Sequence, residues 1–245
     1  LAFPYPHLVD PALWGRYIEG YRLADLIICP GSVPANTVRN YGPEFKDKRI
    51  EIIPHGCEIP VEIKPLPARF ILGYMGSIGV DKGLRYLLEA WKKLGWSDAL
   101  LRIAGKDSTQ LMPMIERFGG GTIHLAGWQE NVSDFYNGIS AYVQPSATEG
   151  FGIEVLEAMA HGRVVIVSEG AGARDCVINC GYCVPACNVD ALSQAIRSIR
   201  QTNDVNICRT LGKQAGLDAT YFTWDKIRKR YIEAWEQACF VGGIK

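Results

Sequence analysis

Two carboxylates, Glu149 and Glu157, frame the stretch EGFGIEVLEAMAHG at 149–162. Glu149 precedes the turn Gly150-Phe151-Gly152. Glu157 sits among Val155, Leu156, Ala158, Met159 and Ala160, in a segment whose apolar character all round reads as a buried helix. A carboxylate there costs several kcal/mol unless it is paired or hydrogen-bonded. An internal ion pair would satisfy it; so would the hydroxyls of a ligand, and a ribose suits the role. The turn offers a second kind of chemistry. A glycine loop that opens into a helix presents unpaired N–H groups and a partial positive charge to a phosphate. Ser146 and Thr148, in the same loop, read equally as helix-capping residues.

A second loop of the same kind lies in GYMGSIGVDKGLRYLL, 73–88. Gly76, Gly79 and Gly83 permit a close backbone wrap. Lys82 stands at the helix start, where a cation is unfavourable unless an anion is near. The spacing is neither a Walker loop nor the dinucleotide fingerprint. Two phosphate-friendly helix starts in one sheet point to a diphosphate held between them.

The elements that must position these loops are short β-branched runs alternating with amphipathic helices. Strands are expected at 25–29, 50–53, 70–76, 100–105, 122–127, 139–145 and 163–168. The helix GLRYLLEAWKKL puts Leu84, Leu87, Leu88, Trp91 and Leu94 on one face. Continuous apolar strands separated by helices imply a doubly wound parallel α/β sheet, Rossmann-like, with ligand at the carboxyl ends of the strands. The proline-rich CEIPVEIKPLPARF marks a boundary. The expected division is 1–56, the trailing end of an earlier domain; 57–69, a linker; and 70–245, the main domain, its last helix packing back on the N-terminal segment. That helix is read with Trp224, Ile227, Tyr231 and Trp235 on one face and the basic run Lys226, Arg228, Lys229 and Arg230 in solvent.

Together these residues resemble the retaining glycosyltransferases of the GT-B class, family 4. PSATEGFGIEVLEAMAHGRVVIVS carries the E-x7-E donor signature. IIPHGC, GYMGSIGVDKGLRYLLEAW, LRIAGKD, IHLAGWQENVSDFY and GAGARDCV follow the family's order around it. The resemblance implies the C-terminal half of a GT-B fold and glycosyl transfer from a nucleotide-sugar with retention, with no metal and no cofactor. It implies that Glu157 binds the ribose, Glu149 the transferred sugar, and the amides of Phe151, Gly152 and Ile153 the sugar and diphosphate. Lys82 would neutralise the leaving diphosphate, the loop of Gly76 and Ser77 would lie against it, and Gly127 and Trp128 would border the base. Two positions depart from the family. Ser77 stands where an arginine is usual, with Arg85 and Arg174 as substitutes, and Asp175 stands where a glutamate is usual.

The formal net charge of +0 gives no global reason to expect nucleic acid or an anionic membrane. The absence of a long apolar run and of a signal peptide implies a cytoplasmic protein, with peripheral membrane contact left open. Four of the eight cysteines crowd into DCVINCGYCVPAC, as Cys176, Cys180, Cys183 and Cys187. Zinc or an iron–sulfur cluster would suit thiolates so spaced, but buried free thiols are the preferred reading. His55 is read as structural, His7 as solvated or capping, and His124 and His161 carry no assignment. The expected chain is the donor half of a longer enzyme acting on a glycan, lipid-linked or small-molecule acceptor. A non-catalytic nucleotide-sugar-binding or scaffold module is the alternative.

Overall fold

The structure, a computed structural model, describes residues 11–106, 112–118, 120–201 and 205–241. His7 lies outside them. Two parallel sheets organise the chain. The smaller pairs β1 (Ile27–Cys29) with β2 (Ile50–Ile52), following α1 (Pro11–Leu23) and joined through α2 (Ser32–Arg39). The larger contains β3 (Ile71–Met75), β4 (Leu100–Ala104), β5 (Ile123–Gly127), β6 (Ala141–Gln144), β7 (Val164–Ser168) and β8 (Gly181–Val184), in the order β5-β4-β3-β6-β7-β8. Each expected strand is present. The sixth strand of the larger sheet, β8, was not expected, because its GYCV lies inside the cysteine run and its glycine and small polar neighbours read as loop.

Residue type explains the layering. All five residues of β7 are buried, and their side chains alternate between two cores. Val164 and Ile166 join the helices α3 (Leu84–Leu94), α4 (Met112–Phe118) and α7 (Val189–Gln201) on one face. Val165 and Val167 join α5 (Val132–Asn137), α6 (Ile153–Ala160) and α8 (Val205–Ala219) on the other. That double burial is what a continuous rather than alternating apolar strand requires. The expected face of α3 is buried in full.

The strand order reverses at β3 and β6, which are hydrogen-bonded to each other. The crevice beyond the carboxyl ends of such a pair is where an open α/β sheet binds its ligand. The two candidate loops, 76–83 after β3 and 145–152 after β6, therefore meet at the switch point. Their contact is close. Ala147 N–H donates to the Asp81 carbonyl at 2.7 Å. Gly83 has φ +70°, and a Cβ built there would stand 1.9 Å from the Pro145 carbonyl oxygen. Gly83→Ala is expected to cost about 3 kcal/mol, from the left-handed backbone and the clash together. The melting temperature should fall by roughly 6–12 °C for a chain of this size, and an unchanged thermal midpoint would contradict the packing described.

The last helix, α9 (Trp224–Val241), buries Ile227 and Ala234 against Ile53, with Leu26, Ile28 and Tyr231 beside them. Arg230 donates to the Ile52 carbonyl at 2.8 Å and Arg49 to Gln237 at 2.9 Å. The expected stripe is thus shifted: Trp224 and Trp235 are exposed, and Ala234 rather than Trp235 joins Ile227 against Ile53. Residues 58–69 form no helix or strand. Their path is held by the fully buried Arg163, which donates to the Lys64 carbonyl at 2.8 Å. Among the described residues no helix is long and apolar enough to cross a membrane.

Candidate functional site

At the switch point two cavities share a wall. The first, about 480 Å³, is lined by His55, Lys82, Glu149, Gly152, Ile153 and Glu154, with Phe151 and Trp224 behind them. The second, about 440 Å³, takes in Gly76, Ser77, Lys106, Trp128 and Glu157, and again Ile153 and Glu154. The first turn of α6 is the partition, so Glu149 and Glu157 serve different cavities.

The loop carrying Glu149 is pinned on both sides. Its N–H donates to the Gly170 carbonyl at 2.9 Å, and its own carbonyl accepts from Gly172 N–H at 3.3 Å. Its carboxylate forms a hydrogen-bonded ion pair with the Lys82 ammonium, both side chains largely buried. Burial works to lower the Lys82 pKa, but Glu149, Asp81 and Glu154 outweigh it and hold the ammonium above its ordinary value. Lys82 is therefore a cation throughout the neutral range. α6 itself starts at Gly152, φ +91°, with no side-chain cap from that residue; in its first turn the Glu154 N–H meets its own carboxylate and the Val155 N–H reaches the Gly152 carbonyl at 3.1 Å. The capping role considered for Ser146 and Thr148 is not seen. Ser146 is instead buried in a chain running Tyr142 to Gln144 (2.6 Å) to Ser146 (2.9 Å) beneath the loop.

Glu157 is half-buried rather than buried, since one side of it faces the second cavity. Among the described residues it makes no ion pair; its Oε2 accepts a hydrogen bond from Tyr136 Oη at 2.7 Å. Tyr136 is fully buried, and burial, then the nearby Tyr142 and Glu157, push its pKa well up, so the phenol stays a donor. His161 braces the pair from behind. Its ring packs on Tyr136 at 5.0 Å, Nδ1 lies 2.7 Å from the Glu157 carbonyl and Nε2 lies 3.0 Å from Ser133 Oγ. A carbonyl can only accept, so Nδ1 carries the proton and Nε2 accepts from the serine. One Glu157 oxygen is thus fixed by Tyr136, and the other accepts no hydrogen bond from the described residues.

The structure brings Lys82, Glu149, Phe151, Gly152 and Ile153 to the first cavity, and Gly76, Ser77, Trp128 and Glu157 to the second. Gly127 lines neither; with φ +65° and its carbonyl accepting from Gly105 N–H at 2.9 Å, it turns the chain so that Trp128 reaches the wall. The two suggested substitutes for the missing arginine are elsewhere. Arg85 is exposed and paired with Glu89 at 2.9 Å. Arg174 donates to the Glu169 carbonyl at 2.9 Å and lies 3.6 Å from Asp175. Asp175 in turn accepts from the Ser32 N–H at 2.5 Å and hydroxyl at 2.8 Å, capping α2.

Four wall residues went unread in the sequence. His55 stands edge-on to Phe151 at 4.8 Å, and its expected structural role is only part of its placement. Trp224 joins it from the far end of the chain. Lys106 lies 4.9 Å above the Trp128 ring. Glu154 had a legible signal: three residues before Glu157, it shares that face of the helix. The crowded cysteines do not converge. Cys176 and Cys180 are buried while Cys183 and Cys187 are exposed, and among the described residues no group of three or more His, Cys, Asp or Glu stands where it could hold a metal.

A six-stranded parallel sheet in this order, with helices on both faces, belongs to the GT-B glycosyltransferase fold. Solved structures agree on the fold. The chain aligns with sucrose-phosphate synthase from Thermosynechococcus elongatus at a TM-score of 0.83 and 23% identity, over 99% of this chain and 65% of that one. It aligns with HepE from Anabaena, solved with UDP and glucose, at 0.77 and 17%, over 95% and 69%. Residues 69–202 match the family model for glycosyl transferases group 1, more than half of the chain, and the chain belongs to that family. Among curated relatives, the alpha-1,3-N-acetylgalactosaminyltransferase of Campylobacter jejuni that acts on N,N'-diacetylbacillosaminyl-diphospho-undecaprenol is 25% identical over 64% of this chain. An uncharacterized glycosyltransferase of Methanocaldococcus jannaschii is 26% identical over 92%. The match spans 42% of the first relative's length and 65% of the second's.

Proposed function

We propose that this chain holds the donor in a retaining, metal-independent glycosyl transfer from a nucleotide-sugar. The observation that carries the reading is the pair of cavities divided by the first turn of α6, with the free oxygen of Glu157 in one and Lys82 with Glu149 in the other. A nucleotide-sugar laid across that turn puts its ribose on Glu157, its base against Trp128, its diphosphate over the N-terminal end of α6 and its sugar on Glu149. The Lys82–Glu149 pair is then a resting arrangement. Donor binding separates it, Lys82 turning to the diphosphate and Glu149 to the sugar hydroxyls. As the glycosidic bond to the diphosphate breaks, charge grows on the leaving oxygen, and a fixed ammonium with helix amides stabilises it in place of a metal. A third cavity of about 350 Å³, between α1, β1, α2 and residues 148–150, opens on the other side of Glu149. It gives a glycan, lipid-linked or small-molecule acceptor a route to the sugar.

The experiment is incubation of the full-length protein with UDP-, GDP- and ADP-sugars in EDTA, reading nucleoside diphosphate release and the first-formed anomer by proton NMR. Retention of the donor's anomeric configuration, undiminished by EDTA, supports the reading. Inversion, or release that EDTA abolishes, contradicts it. A non-catalytic binding module is favoured by one observation, the absence of a second cation at Ser77. Binding without turnover by the full-length protein would select it.

A further inference from the structure

Glu154 stands where a bound diphosphate has to pass. It belongs to both cavities, and its Oε1 lies 3.7 Å from where a Cβ on Gly76 would be, beside the loop that follows β3. No ion pair reaches it among the described residues, and Lys82 is committed to Glu149. The groups around it are mostly acids. Glu149 comes from the loop after β6 and Glu157 from its own helix. Tyr74 and Tyr142 lie beneath it on β3 and β6, and Tyr136 on α5. Glu130 and Lys106 lie on the wall of the second cavity, and His55 on that of the first. Burial raises the Glu154 carboxyl above the usual carboxylate range, and Glu149 and Glu157 add to the rise; its own backbone amide and Lys82 act the other way without cancelling it. A diphosphate brought beside an ionised Glu154 would meet a fourth carboxylate, after Glu149, Glu157 and Glu130, with only Lys82 and Lys106 as lysines on the two walls.

Resting on the donor reading above, we propose that Glu154 enters the complex as the neutral acid and gives its proton as a hydrogen bond to a phosphate oxygen, so that each nucleotide-sugar binds with uptake of one proton from solvent. No covalent bond of the donor changes; one O–H bond forms on the carboxylate and that hydrogen is shared with the phosphate. The device makes donor affinity a function of pH, and it lets an acid take the place where a second cation is absent at Ser77.

The test is calorimetric titration of a nucleotide-sugar, which has no phosphate group titrating near neutrality, into the full-length protein and its E154Q variant between pH 6.5 and 8. It is done in two buffers of different ionisation enthalpy. Wild type is expected to take up about one proton at the upper end and to lose affinity approaching tenfold per pH unit there. E154Q keeps the shape and the donor N–H, so it is expected to bind with no proton uptake, with flat affinity, and more tightly than wild type at pH 8. Binding by wild type without proton uptake overturns the proposal. So does uptake that persists in E154Q, which would belong to His55, or a variant weaker at every pH. Binding of no nucleotide-sugar by either protein removes the donor reading together with this one.

Discussion

Lys82→Met is expected to lower the rate of donor turnover by roughly 10²–10³-fold, about 2.7–4 kcal/mol of transition-state stabilisation. The size follows from what surrounds the ammonium. It is largely buried, it is held charged by Glu149, Asp81 and Glu154, and no arginine stands at Ser77 to share the work. Removing it also leaves the largely buried Glu149 carboxylate without its ion-pair partner. Lys82→Arg keeps the charge and should recover part of the rate. The measurement is nucleoside diphosphate release from the donor under saturating conditions. A methionine variant within threefold of wild type would remove Lys82 from the chemistry.

Glu157→Ala should weaken nucleotide-sugar binding by roughly 10–150-fold, the range expected when hydrogen bonds to a charged group worth about 1.5–3 kcal/mol are lost. Tyr136 holds one oxygen of this carboxylate, and His161 packs on Tyr136 and bonds the Glu157 backbone carbonyl, so little ordering remains to be done on binding. The substitution also strips the buried Tyr136 hydroxyl of its acceptor, at a cost of about 1–3 kcal/mol in stability. Circular dichroism must therefore establish that the variant is folded before its affinity is read by equilibrium dialysis. A folded variant that binds as wild type would make Glu157 a structural partner of Tyr136 and nothing more.

Much of the larger sheet was legible because its strands are continuous β-branched runs and its helices carry a clear apolar face, as 163–168 and 84–94 illustrate. β8 was not, since it is an edge-of-pattern strand made of Gly181, Tyr182, Cys183 and Val184, and its pairing to β7 is a long-range event. At the site, Glu157 and Lys82 could be picked out because each violates a local rule, a carboxylate in an apolar helix and a cation at a helix start, and Glu149 by its E-x7-E spacing to Glu157. His55, Lys106 and Trp224 violate none. They reach the cavities through the path of 54–57, the end of β4 and the return of α9, which only tertiary packing decides. Arg85 and Arg174 show the converse. Arg85 adjoins the first loop in sequence and Arg174 lies in the turn after β7, and both are drawn away by acceptors of their own, Glu89 and the Glu169 carbonyl.

The claim at the centre of this account is that the free oxygen of Glu157 meets a ribose. A double cycle tests it most directly: wild type and Glu157→Ala, each titrated calorimetrically with a nucleoside diphosphate in its ribose and 2'-deoxyribose forms. The account predicts that wild type prefers the ribose form by about tenfold or more, and that Glu157→Ala binds the two forms alike. An equal preference in both proteins, or none in wild type, would contradict it.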